Sequence, residues 1–92
     1  NDINQSLTAD TEVIFNAGQT ALLEVSLSQG GQVLWTRNRN YVSELNDLRY
    51  EILSNGSLLI KNLNLNDNAI YSCIQNGQFV GKKIRLQIKG KF

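Results

Sequence analysis

Apolar and polar side chains alternate along this chain in short runs, and turn residues cut the runs at intervals of about 8 to 12 positions. Side chains of an extended strand point to opposite faces in turn, so each run marks a ribbon with one buried face. Residues 11–15 read as an edge strand, and residues 20–27 as a second strand with Ala21, Leu23, Val25 and Leu27 on one face. Residues 32–37 follow, with Val33 and Trp35 inward, then 41–45, then 49–53 with Tyr50 and Ile52 on one face. Residues 57–62 place Leu58 and Ile60 inward; 70–75 form the next strand, and the last runs to Ile88 with Ile84, Leu86 and Ile88 inward. Leu63 and Leu65 are expected to cover the lower end of the core. Residues 38–40 read as a tight connection, and Asn55-Gly56 and Asn76-Gly77 are the strongest turn signals. Nothing keeps a helical period over three turns. The pattern is that of an all-β chain folded as an antiparallel β-sandwich.

Ninety-two residues suit a single domain, 1–92, in which most large apolar side chains are needed for the core. No run approaches the roughly 20 apolar residues of a membrane helix, so attachment to a membrane would come only through parts outside this chain. No secretory leader is visible, and a mature or excised fragment is expected. The formal charge of +1 is unevenly spread. Asp2, Asp10, Glu12 and Glu24 fall in the first 30 residues with no Lys or Arg, whereas Lys82, Lys83, Arg85, Lys89 and Lys91 fall after Gly77 with no acid. One side of the sandwich is therefore expected to be basic.

The chemistry of enzymes is poorly represented. With no His, the commonest general base and zinc ligand are missing. The serines have no base partner that spacing nominates, and Asp47, Glu51 and Asp67 are dispersed over different elements. Gly30-Gly31 is too short to cradle a phosphate and opens no helix. No catalytic residue, cofactor or metal is expected. A basic last strand resembles a nucleic-acid stripe, but Trp35 and Tyr71 face inward and leave no stacking platform, so no nucleic-acid partner is expected. The single Cys rules out an internal disulfide, which taken alone favours a reducing compartment. The triplets Asn4-Gln5-Ser6 and Asn55-Gly56-Ser57 fit N-glycosylation and point the other way, although such triplets also arise by chance among twelve Asn.

In the stretch Asp67-Asn68-Ala69-Ile70-Tyr71-Ser72-Cys73, the residues Asp67, Ala69, Tyr71 and Cys73 share one side. An Asp, a small residue, a Tyr and a Cys in that alternation form the tyrosine-corner pattern, and on it the chain resembles the immunoglobulin superfamily. The resemblance implies an immunoglobulin-like sandwich of variable or intermediate type, in which residues 32–37, 41–45, 49–53, 70–75 and the last run to Ile88 are strands C, C′, D, F and G. It makes Trp35 the core Trp of strand C, the other reading being an arbitrary core aromatic. Seven residues after Gly18, at the position of the family's first core Cys, stands Val25, so a hydrocarbon faces Cys73 and the sandwich lacks its core disulfide. Cys73 would then be an inert core thiol. Arg49 at the start of strand D is implied to pair with Asp67, closing the lower end of the core.

The stretches Val33-Leu34-Trp35, Val42-Ser43-Glu44-Leu45 and Tyr50 through Leu63 are similar to the membrane-distal domains of lymphocyte adhesion and SLAM-type receptors and their ligands. Departures from that pattern are the retained Cys73, a short segment between C′ and D, and Ala69 in place of Gly. This resemblance implies an extracellular, cell-surface or secreted recognition domain. Its protein partner would be another immunoglobulin-like domain, a homophilic contact included, bound through the sheet face of strands G, F, C and C′. By alternation the outward residues of that face are Leu34 and Thr36 on C, Val42 and Glu44 on C′, Ser72 and Ile74 on F, and Lys83 and Arg85 on G. The competing reading is an intracellular structural module of the muscle-filament kind, in which a missing disulfide is expected.

Overall fold

In the computed structural model, residues 8–90 are described. Among them the chain forms β1 (Thr11–Asn16), β2 (Ala21–Leu23), β3 (Leu34–Arg37), β4 (Asn40–Tyr41), β5 (Tyr50–Ile52), β6 (Leu58–Ile60), β7 (Ala69–Gln75) and β8 (Gln78–Lys89). Two single 3-10 turns, Val42–Leu45 and Leu65–Asp67, interrupt the strand pattern. One sheet has the order β1-β8-β7-β3-β4 and the other β2-β6-β5. Alternation buries one face of each, and the two faces meet over Leu23, Trp35, Leu58, Ile60, Leu63, Tyr71, Cys73, Leu86 and Ile88.

Among the described residues all ladders are antiparallel but one. β1 runs parallel to β8, with Thr11 opposite Ile84 and Asn16 opposite Lys89. The expected segregation of charge is undone by this pairing: the acidic first strand lies against the basic last one, Glu12 opposite Arg85. Asp10 accepts the Lys83 N–H at 2.9 Å and donates its own N–H to the Lys83 carbonyl.

The second strand is shorter than its alternation suggests. Past Leu23 the backbone leaves the ladder, and the Val25 N–H is taken by the Ser57 hydroxyl at 3.3 Å. Val25 still spans the gap between the layers. A side-chain carbon at Gly56 would lie 3.4 Å from one of its methyls, and one at Gly81 of β8 would lie 3.1 Å from the other. Gly81 follows Val80, the ladder partner of Cys73. Trp35, beside Cys73 on the adjoining strand, donates its indole N–H to the Gly56 carbonyl across the sandwich at 2.8 Å. Leu63 is buried, but Leu65 is exposed at the head of its 3-10 turn and covers nothing.

The 38–40 connection is a two-residue turn. Asn38 and Arg39 both have positive φ, 50° and 80°, as a type I′ hairpin requires, and Arg37 pairs with Asn40. Thr36 therefore faces Tyr41, which turns Tyr41 outward and the next residue, Val42, inward. The expected strand 41–45 stops at Tyr41 and continues as a 3-10 turn.

Candidate recognition surface

The lower end of the sandwich is closed by a polar cluster centred on Asp67, which is 1% exposed. Arg49 reaches it in bidentate fashion, Nη1 to Oδ2 at 2.8 Å and Nη2 to Oδ1 at 2.9 Å. The Tyr50 hydroxyl donates to the same carboxylate at 2.6 Å, and the Asn64 N–H at 2.8 Å completes a capping box on the 3-10 turn. The Tyr71 hydroxyl donates to the Asp67 backbone carbonyl at 2.8 Å, which ties β7 to the turn before it. Burial alone would raise the Asp67 carboxyl, but hydrogen bonds from Arg49, Tyr50 and the Asn64 N–H, with the Arg49 charge, hold it below its ordinary value. The same hydrogen bonds to Asp67 keep Arg49 protonated more firmly than usual. Asp47 is also tied to Arg49, at 2.9 Å, so two of the three dispersed carboxylates are engaged by one guanidinium. Burial pushes the Cys73 thiol up to about 11. Among the described residues no group of three or more His, Cys, Asp or Glu could hold a metal ion, and no helix is long and apolar enough to cross a membrane.

The outer face of the five-stranded sheet is open to solvent. Because Trp35, Tyr71 and Cys73 point inward, Leu34, Thr36, Ser72 and Ile74 point outward. Leu34 lies opposite Ile74, and Ile74 opposite Phe79, so three apolar side chains form one row across β3, β7 and β8. Leu34 is 47% and Phe79 54% exposed. A bulge next to this row sets Gly81, Lys82 and Lys83 against Ser72 alone, since Tyr71 pairs with Ile84 and Cys73 with Val80. The bulge brings the Lys83 ammonium over the Phe79 ring, 4.5 Å from its centre. Arg85 is exposed farther down β8, opposite Ile70. Below it, Asn38, Ile70, Arg85 and Gln87 line a shallow depression of about 490 Å³.

Leu34, Ile74, Lys83 and Arg85 thus share one face. Four residues expected beside them do not contribute surface in the expected way. Val42 is 6% exposed and belongs to the core, because the two-residue turn shifts its parity by one. Thr36 faces out but is buried, as is Ser72: both are short side chains on central strands, sunk between longer neighbours. Glu44 is exposed, but on the 3-10 turn beyond the sheet edge. Three exposed apolar residues on the face went unread: Phe79, Tyr41 opposite Thr36, and Ile14 opposite Gln87 on β1. Phe79 carried a readable signal, since it has the same parity as Lys83 and Arg85. Asn55 is exposed in the turn between β5 and β6, whereas Asn4 lies outside the described residues.

No protein-family model matches the chain, and no curated protein matches it. Solved structures do. Tandem Ig repeats of Dlar superpose with a TM-score of 0.71 at 21% identity, covering 90% of this chain and 46% of that one. The CD2-binding domain of CD58 gives 0.67 at 19% identity over 85% of this chain and 53% of the other. The Ig-like domain of human obscurin-like protein 1 gives 0.76 at 14% identity over 89% and 79%. The chain spans under half of the Dlar structure and 22% of a four-domain Sidekick-1 structure. With its two stacked sheets and its tyrosine corner, the chain has the immunoglobulin-like fold.

Proposed function

We propose that this chain is a recognition module that binds another protein, itself an immunoglobulin-like domain, through the outer face of the β1-β8-β7-β3-β4 sheet. The observation that carries the reading is the row Leu34–Ile74–Phe79, apolar and solvent-facing, with the cations Lys83 and Arg85 beside it. A small apolar centre inside a charged surround suits a contact in which charge sets specificity and encounter rate. The face also carries its own complement. Lys83 and Arg85 lie on β8 and Glu44 lies beyond the opposite edge, so a second copy related by a two-fold axis could set base against acid. The CD58 neighbour is itself described as CD2-binding, which supports partner binding on this scaffold by analogy alone.

An extracellular, cell-surface or secreted setting goes with this reading, and with it a glycan on Asn55. The Asn55 Oδ1 accepts the Ser57 N–H at 3.0 Å, leaving the side-chain nitrogen toward solvent. The Ser57 side chain is buried, so the sugar would be added before the domain closes. Neither the catalytic nor the metal-binding class of function draws support from any cluster described above.

The test uses a fluorescent multimer of the chain against a panel of immunoglobulin-like ectodomains that includes the chain itself. Wild type binds at least one member, while Phe79→Ser and Arg85→Ala lose binding and melt as wild type does. Undiminished binding by both variants rejects this face. A second reading, an intracellular structural module, draws on the parallel β1–β8 ladder: the first and last strands lie side by side over six registered pairs, so pulling the ends apart shears all of them together. Titin and obscurin-like domains among the structural neighbours support it. Sequence flanking this chain decides: tandem copies select the module, a leader and one membrane span select the receptor.

A further inference from the structure

The chain holds two Asn-Gly pairs, Asn55-Gly56 and Asn76-Gly77, and the fold treats them differently. An Asn followed by Gly is prone to cyclise, because no Cβ on the second residue hinders attack. The Gly backbone nitrogen gives its proton to base and bonds to the Asn side-chain carbonyl carbon. The bond from that carbon to the side-chain nitrogen breaks, and ammonia departs. Water then opens the resulting five-membered imide at either carbonyl and yields Asp or isoaspartate. Water is the only co-reactant, and no electron changes hands.

At Asn55 both reacting groups are occupied. The Gly56 N–H donates to the Leu53 carbonyl at 2.9 Å, the Asn55 Oδ1 accepts from Ser57, and Gly56 is buried under Leu27 and Val25. At Asn76 neither constraint is present. Asn76 and Gly77 are both exposed at the tip of the β7–β8 hairpin, and the Gly77 N–H bonds to no group among the described residues. Nothing lies within 4 Å of the place a Cβ on Gly77 would occupy. We propose that Asn76 is a site of spontaneous deamidation in the folded protein and that Asn55 is protected. The new carboxylate would stand at the hairpin tip, two ladder positions from Ile74 and Phe79, and would remove one unit of net positive charge.

The experiment incubates the intact folded chain, made without glycosylation so that the Asn55 amide is free, in mildly alkaline buffer with a parallel sample in urea, and maps both sites by peptide mass and an isoaspartate methylation assay. Freeing the Gly56 N–H and the Asn55 side chain means breaking two hydrogen bonds, so the folded chain is expected to modify Asn76 roughly tenfold or more faster than Asn55. In urea the two rates are expected to converge. Equal rates in the folded chain, or a tenfold gap that persists in urea, overturns the proposal. Asn76→Gln, whose ring closure is disfavoured, should abolish the acidic species; its persistence in that variant overturns it equally.

Discussion

Replacing Asp67 with Asn isolates the polar cluster that closes the core. The substitution keeps volume nearly constant but removes the charge and sets an amide N–H₂ against donors that need an acceptor. Four hydrogen bonds converge on this carboxylate, two from Arg49 and one each from Tyr50 and the Asn64 N–H. Breaking a buried ion pair from one side costs about 3–5 kcal/mol. Arg49 is partly solvated and keeps Asp47 and the carbonyls of Lys61 and Asn62, so the lower end, about 3 kcal/mol, applies. Set against a total of roughly 5–14 kcal/mol for a domain of this length, that is a large share. The assay is urea unfolding followed by the fluorescence of Trp35, the one Trp and a core residue. At roughly 4–8 °C per kcal/mol, the melting point should fall by about 12–24 °C. Arg49→Met should cost a similar amount, and the double variant less than the sum, because each single change strands the other partner. Acid adds an independent readout. The Asp67 carboxyl is held below its ordinary 3.8, so its contribution is complete above that value and is lost as pH falls through the folded-state pKa. D67N should therefore flatten the acid limb of the stability curve. A loss under about 1 kcal/mol with an unchanged acid limb would refute the reasoning.

The corrected parity of the 42–45 segment separates two neighbours. Val42→Ala should lower stability by about 2 kcal/mol in the same urea titration, whereas Glu44→Lys should leave it within about 0.5 kcal/mol. The Cys73 thiol, buried and pushed up to about 11, should stay silent to a thiol reagent at neutral pH and react fully once the chain is unfolded in urea. Rapid labelling of the folded chain would place it outside the core. Leu48 is 94% exposed, so Leu48→Ser should shift the unfolding midpoint by no more than about 0.5 kcal/mol.

The closing cluster was legible because its parts obey local rules. Asp67, Tyr71 and Cys73 alternate on one strand approach, and the two hydrogen bonds from Arg49 match what the family pattern implies. The face was legible only in part. Its inner parity comes from Trp35 and Cys73, which fixes Leu34 and Ile74 without knowledge of the partner strands. The segment at 41–45 went wrong by one residue, because the type I′ turn uses Arg39 at φ 80° where the sequence signal for such a turn is Gly. Thr36 and Ser72 defeat alternation differently: facing out is not the same as reaching water, and short side chains on central strands are shadowed by their neighbours. Strand β2 ends early because the Ser57 hydroxyl, 32 residues away, takes the Val25 N–H. The lost charge segregation has the same cause at larger scale, since the parallel pairing of β1 with β8 joins the two ends of the chain. Long-range pairing of this kind leaves no local mark.

The most direct measurement is an amide NMR titration of the labelled chain with whichever panel member binds, or with unlabelled chain if it binds itself. Shifts confined to Leu34, Ile74, Phe79, Lys83, Arg85 and their ladder neighbours are the expected result. Shifts confined to β2, β6 and β5, with the outer face of the five-stranded sheet undisturbed, would contradict it.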